Sequence, residues 1–303
     1  MQAVSRQPKW KTVCAFATIY LVWGSTFLAI RVGVHEVPPF LLAAMRFLAA
    51  GLVLYLWGIA RGERLPSGRQ WSSISILAVL IFVIDYGLVF WAEQRVPSGV
   101  AAVMMATTPV FMAAADILIL RKQTLTFRLA SALAVGIAGV GALMSPSLDL
   151  GGAAIDGEGA VALLIAAMSW SVSSALTRKL PLPSSKIMSS GAQMLTGGVF
   201  LSLTAGVLGE FHGFSPWTVS RGAWLALLYL IVAGSIVGFT AYVWLIHHES
   251  PTKVGTHAYV NPVVAVLVGH LLGGEPLGLR TMLGTGLVLV GVIVITTIPA
   301  QEA

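Results

Sequence analysis

Tyr259-Val260-Asn261-Pro262-Val263 sets an amide and a proline inside an apolar run from Thr252 to Leu272. It has a counterpart in Thr107-Thr108-Pro109-Val110, inside the apolar run from Ser98 to Leu120. The two stretches stand 153 residues apart, about half of the 303-residue chain. Read together, they are the two halves of one site, built by an internal duplication.

Outward from them the chain is apolar almost everywhere. Hydrophobic residues make up 57% and charged ones only 10%, where a soluble globular chain carries roughly 25% charged residues. So little polar surface cannot face water on every side, so the lipid bilayer is the expected surroundings. The net charge of +6 raises nucleic acid as a partner. The basic residues sit instead in short links between apolar runs, which is the positive-inside pattern, and no nucleic-acid partner is expected. The lone Cys14 leaves no intrachain disulfide framework and no multi-Cys metal site. The first apolar run, Thr12 to Ile30, follows Arg6, Lys9 and Lys11 but is too long for a signal core and is read as a retained span.

A spanning helix needs about 20 mainly apolar residues. Segments 12–33, 39–60, 71–92, 98–120, 127–145, 158–177, 187–208, 222–246, 252–273 and 279–298 qualify. Barrel-type alternation is absent. The expected fold class is therefore all-α integral membrane, with ten transmembrane helices. Arg61, Arg64 and Arg69, then Arg121, Lys122 and Arg128, then Arg178, Lys179 and Lys186 join the N-terminal cations on one side, while Asp149, Asp156 and Glu158 weight the other. That asymmetry predicts an inner-membrane protein with both termini cytoplasmic.

Sliding one half along the other yields three matching blocks. Trp23-Gly-Ser-Thr26…Arg31 falls on Trp170-Ser-Val-Ser173…Arg178, Thr108-Pro109-Val110 on Asn261-Pro262-Val263, and Gln123-Thr-Leu125…Arg128…Gly139 on Glu275-Pro-Leu277…Arg280…Gly291. Their offsets are 147, 153 and 152 residues. The expected halves are 1–148 and 149–303, with five helices each. An odd number makes the copies enter the membrane from opposite sides, and in such inverted repeats the substrate site lies near the midplane at the repeat interface.

Trp23-Gly-Ser-Thr-Phe27, Pro38-Pro39…Arg46-Phe47, Trp91-Ala-Glu-Gln94…Val96-Pro-Ser-Gly99, and Ala258-Tyr-Val-Asn-Pro262 through Gly273-Gly-Glu275 together resemble the EamA branch of the drug/metabolite transporter (DMT) superfamily, among its YedA-like inner-membrane permeases. The resemblance covers nearly the whole chain and departs from the usual pattern at Asp85-Tyr86. It implies two inverted five-helix EamA-type repeats and export of small metabolites, commonly amino acids or related compounds.

Polar groups inside spans need a reason, since a charge at the bilayer centre costs at least about 2.5–3.5 kcal/mol. Arg46 and Asp85 each lie seven residues from one end of their spans, about 10 Å deep, which predicts an ion pair serving as a tie between helices or as part of a substrate or proton path. Asp116 is read as interfacial. Under the 153-residue offset, Met104 and Thr108 align with His257 and Asn261, in each case at i and i+4 on one helix face. Asn261 is the chain's sole asparagine; its amide is read as lining a cavity or bonding a neighbouring helix, with Tyr259 beside it. Pro109 and Pro262 each leave a backbone carbonyl without its donor and are candidate hinges.

Trp23 and Thr26 align with Trp170 and Ser173 as a second matched set, whose aromatic walls suit a partly apolar metabolite. Tyr86, Phe90 and Glu93 share a face, with Glu93 at the mouth as a gate, a proton acceptor or a solvated group. His247-His248-Glu249 fits no zinc motif and is read as a solvated link. Ala130, Ala134, Ala138 and Ala142 form a small-residue stripe suited to close helix packing, within the bundle or in a homodimer.

These features predict a secondary transporter with alternating access, an exporter as the resemblance implies, rather than an enzyme, with a small-molecule substrate, no cofactor and no metal. No nucleotide-binding loop occurs in the sequence, so any coupling would run on protons through Asp85, Glu93 or His257. An intramembrane enzyme acting on a lipid-linked substrate is the alternative, and a channel a third.

Overall fold

A computed structural model describes residues 9–112, 126–144, 156–177, 179–249, 254 and 256–296. Their architecture is ten helices: α1 (Lys9–Val34), α2 (Pro39–Ala60), α3 (Gly68–Ala92), α4 (Ser98–Met112), α5 (Phe127–Met144), α6 (Gly157–Thr177), α7 (Lys186–Val207), α8 in three joined pieces (Arg221–Tyr229, Leu230–Val237 and Gly238–His248), α9 (His257–Gly273) and α10 (Leu279–Thr296). Five of them are long and apolar enough to cross a bilayer unaided, and shorter apolar helices complete the bundle. The boundary between 148 and 149, and Asp116, Arg121, Lys122 and Asp149, lie outside the described residues, as does the side chain of His247.

Short links force neighbouring helices to run antiparallel, and two glycine crossings reveal the inverted symmetry. Where α2 crosses α7, a methyl group at Gly51 would overlap the backbone nitrogen of Leu195, and one at Gly198 would come within 2.7 Å of the nitrogen of Leu48. These contacts are mates under the 147-residue offset. Where α5 crosses α10, a methyl group at Gly139 would come within 2.7 Å of the nitrogen of Val288 and one at Gly291 within 2.8 Å of that of Gly136. These are mates under the 152-residue offset. Without Cβ atoms the backbones approach closely, which is how helices gain dispersion energy in lipid. The alanine stripe of α5 is not the intramolecular contact: Ala134 and Ala138 are exposed, and Gly136 and Gly139 make the crossing.

The helix starts divide by end. At one end lie the N-termini of α2, α4, α6, α8 and α10, and a carboxylate reaches the first four, that of α8 through Ser220. Pro38 and Pro97 precede α2 and α4 without a capping side chain, so acceptors come from elsewhere. Glu210 accepts from the backbone N–H groups of Leu41 (2.8 Å) and Phe40 (3.4 Å), and Glu275 from those of Ser98 (2.7 Å) and Gly99 (3.1 Å). Asp156 caps α6 through Gly159 at 2.7 Å. Ser220 caps α8 and is itself held by Glu36 through its N–H and its hydroxyl, both at 2.6 Å. At the opposite end hydroxyls do the same work, with a Ser67–Gln70 capping box on α3 and Ser185 on α7. Carboxylates suit the positive helix N-terminus, which gives the acidic links of one end a structural use.

Two spans depart from regular α-helix. α3 widens into a π-helical stretch at Val79–Tyr86 and α8 into another at Leu230–Val237, 151 residues apart. Each ends on a glycine, Gly87 or Gly238. The displaced backbone acceptors find donors on the facing helix: the Ser169 hydroxyl of α6 donates to the Leu80 carbonyl at 2.8 Å, and the Trp23 indole of α1 to that of Gly234 at 3.1 Å. α4 is broken at Ala106–Thr107, and Val110 donates to the Thr107 carbonyl in a tight turn that contains Pro109. α9 instead carries Pro262 within its length.

Candidate substrate site

The polar groups of the spans gather into two nests and one latch. The first nest lies toward the carboxylate-capped end, between α2, α3, α6 and α8. Arg46 is only 4% exposed. Its Nε donates to Ser235 Oγ at 2.9 Å, and that hydroxyl donates to the Leu230 carbonyl of the α8 π-helical stretch at 3.0 Å. The guanidinium carbon lies 4.8 Å from the Phe47 ring centre, 5.4 Å from Tyr86 and 6.0 Å from Phe90, distances at which ring quadrupoles attract a cation. Trp170 meets Tyr86 edge-on at 6.3 Å and is 36% exposed, so one wall of the nest opens outward.

Asp85 is 2% exposed and Glu93 fully buried. The expected Arg46–Asp85 ion pair is not formed, whereas Arg31 pairs with Glu275 at 3.4 Å. The reading of Glu93 as a solvated group also fails. Buried atoms without a hydrogen-bond partner include Arg46 Nη1, Asp85 Oδ1 and both carboxylate oxygens of Glu93. Each orphaned polar group costs about 1–3 kcal/mol, and more when charged, so these three side chains are held at a loss in this state.

The latch closes the same end. Arg31, at the end of α1, reaches the carbonyls of Val96 and Glu93 and pairs with Glu275, which in turn caps α4. Thus α1, the α3–α4 link, α4 and the α9–α10 link are tied together, with the buried Ser98 hydroxyl unpartnered among them.

The second nest lies toward the opposite end. Trp23 packs edge-on to His257 (5.4 Å) and tilted to Tyr242 (5.4 Å), and Tyr242 lies 6.0 Å from His257. The His257 ring meets the Val254 carbonyl through Nδ1 at 2.8 Å. Tyr20 and Thr256 share a short hydroxyl contact between α1 and the start of α9. With its amide nitrogen facing the acceptors, Asn261 donates to the carbonyls of Ile19 on α1 (3.3 Å) and His257 (3.2 Å). That makes it a tie between helices in this state.

The remaining residues singled out in the sequence are less free. Thr26 and Ser173, matched across the repeat, each return their hydroxyl to a tryptophan carbonyl three residues back, at 2.6 and 2.8 Å. Thr108 does the same to Met105 at 2.6 Å. Met104 is fully buried in the apolar core, and Tyr259 packs against that core. His248 ends α8 stacked on Trp244, so it belongs to a helix rather than to a link. Sequence reasoning missed Ser235, Phe47, Tyr242, Arg31, Glu210 and Glu275. For the two glutamates a signal existed, because helices that begin on proline without a capping neighbour must borrow an acceptor.

The EamA-like transporter family profile matches twice, over residues 10–145 and 157–297. The chain is 36% identical to the inner membrane transporter YedA of Escherichia coli strain K12 over 286 residues, 93% of this chain and 89% of that one. It is 28% identical to the protein PecM of Dickeya dadantii, covering 91% of this chain and 89% of PecM. A solved crystal structure aligns over 98% of this chain and all of its own, with a TM-score of 0.62 at 20% identity, a likeness of fold.

Proposed function

The chain belongs to the EamA-like transporter family, and from that premise we propose that it is a non-enzymatic secondary transporter exporting small organic metabolites, amino acids or related compounds among them. Alternating access runs around the space between the two repeats. One observation carries this reading: Arg46, set among aromatic rings, and Asp85 and Glu93, along the α3 segment that supplies two of those rings, are each buried with polar atoms unsatisfied. A resting bundle gains nothing from such groups, whereas a carrier satisfies them when substrate or proton binds.

In this reading the carboxylate-capped end faces outward and both termini face the cytoplasm. The Arg31–Glu275 latch is the outer gate, the Tyr20–Thr256 contact belongs to the inner one, and the broken α4 and Pro262 of α9 are the hinges. Access alternates as one contact set opens and the other closes. The test is efflux of a radiolabelled amino-acid panel from proteoliposomes containing the purified protein. Saturable, protein-dependent flux that shows counterflow supports the proposal. No flux of any member above protein-free vesicles, or ohmic single-channel currents, contradicts it.

A further inference from the structure

We propose that Arg46 is the anion receptor of this site and that the transported compound carries a single carboxylate on an apolar or aromatic body. The inference rests on the transporter reading and names the substrate chemistry within it. Ser235 fixes the guanidinium by its Nε edge, and the Leu230 carbonyl fixes Ser235. The other edge is left over, with Nη1 buried and unpartnered. A planar fork bonded on one edge and unpartnered on the other is preorganised for a carboxylate.

The surroundings narrow the choice further. Phe47, Tyr86 and Phe90 line the guanidinium and Trp170 stands beyond Tyr86, so the anion's body meets rings rather than polar groups. Arg46 is a single cation among these rings, so a phosphate or other dianion would bring more negative charge than the site offsets. Glu93 follows Tyr86 and Phe90, the two α3 rings that meet Arg46, on the same helix face, and both its carboxylate oxygens are buried without a hydrogen-bond partner. In the proposal Glu93 is the internal counter-charge of Arg46, which a bound carboxylate displaces.

The experiment measures binding to the detergent-purified full chain by tryptophan fluorescence and thermal shift, with three probes: L-phenylalanine, 3-phenylpropionate and L-phenylalaninamide. The first two carry the carboxylate and the third lacks it. In the unaltered protein both carboxylates bind and the amide binds about tenfold more weakly or worse. Arg46→Gln loses the carboxylates by about the same factor, Arg46→Lys keeps part of the affinity as a point charge, and Glu93→Gln, which removes the internal competitor, tightens both. Should Arg46→Gln fail to fold, Arg46→Lys and Glu93→Gln still shift affinity in opposite directions. Equal binding of amide and acid, carboxylate affinity unchanged in a folded Arg46→Gln or in both other variants, or no carboxylate binding to the unaltered protein overturns the proposal. Proteoliposomes that still transport phenylalaninamide in that event leave the transporter reading standing and remove only the anion site.

Discussion

Ser171 on α6 shares its hydroxyl proton between the Ala167 carbonyl of its own helix, at 2.7 Å, and the carbonyl of Thr108, the residue before Pro109 on α4, at 3.1 Å. The mate of Ser171 in the other repeat is Gly24 on α1, and a Cβ on Gly24 would lie 3.0 Å from the carbonyl of Asn261, the residue before Pro262. One contact is thus made twice, α6 on α4 and α1 on α9, at the position where a proline interrupts the ladder. The hydroxyl fills the space in one copy and close backbone approach fills it in the other.

Substitutions at these mates should differ in kind. Ser171→Ala loses a hydrogen bond and is expected to cost about 1 kcal/mol. Gly24→Ala places a methyl group 2.6 Å from Cβ of Val264, an atom that side-chain rotation cannot move, for an overpacking cost of about 1–3 kcal/mol. Thermal unfolding in detergent checks the order, and a Gly24→Ala protein as stable as the parent would deny the close α1–α9 crossing.

The two carboxylate caps on proline-led helices should be separable. Glu210→Gln keeps an acceptor and weakens one helix start, within the about 0.5–2 kcal/mol range of caps. Glu275→Ala removes the α4 cap and the Arg31 partner together. Arg31→Ala and Glu275→Ala should therefore be non-additive, and a double-mutant cycle reads the coupling directly. Additive effects would mean that the latch contributes nothing as a unit.

Outside the spans, the acid dependence of one tie has a definite sign. The Ser220 hydroxyl and backbone bonds hold the Glu36 carboxyl below its ordinary value of 4.5. A depressed carboxyl stabilises the fold above its unfolded value and loses that contribution as pH falls through the lower folded one. Glu36→Gln should flatten that part of the acid limb of a stability–pH curve, between about pH 4.5 and the folded value, while leaving stability at neutral pH lower.

The paired π-helical stretches should depend on their side-chain donors. Ser235→Ala releases both Arg46 Nε and the Leu230 carbonyl, a loss of about 1–3 kcal/mol for the groups left unsatisfied. Ser235→Thr keeps the hydroxyl and should restore transport by the purified protein. Full transport activity in Ser235→Ala would show that the guanidinium needs no such positioning.

Composition and charge made the membrane class and the ten helices legible, because lipid leaves a chain few other ways to satisfy its backbone. The three aligned blocks led to the inverted repeat, and the glycine crossings Gly51–Leu195/Gly198–Leu48 and Gly139–Val288/Gly291–Gly136 share two of their offsets. The partner of Arg46 was not legible. Counting residues along a helix yields depth, but Asp85 lies within a π-helical stretch, whose extra residue turns the following face away from the α-helical phase. Nothing local in Val79–Tyr86 announces that turn; its support comes from Ser169, 89 residues away. Glu93 was misjudged for a related reason. Its place at a span end suggested solvent, whereas the Arg31–Glu275 latch folds over it.

The account rests most heavily on alternation between the two ends, and single-cysteine accessibility tests it most directly. With the lone Cys14 replaced by serine, Ser98→Cys reports the latched end and Thr256→Cys the opposite one, each read by a membrane-impermeant maleimide with and without a transported amino acid. The account predicts reciprocal change, labelling at one position rising as it falls at the other. Labelling that rises or falls at both together would contradict it.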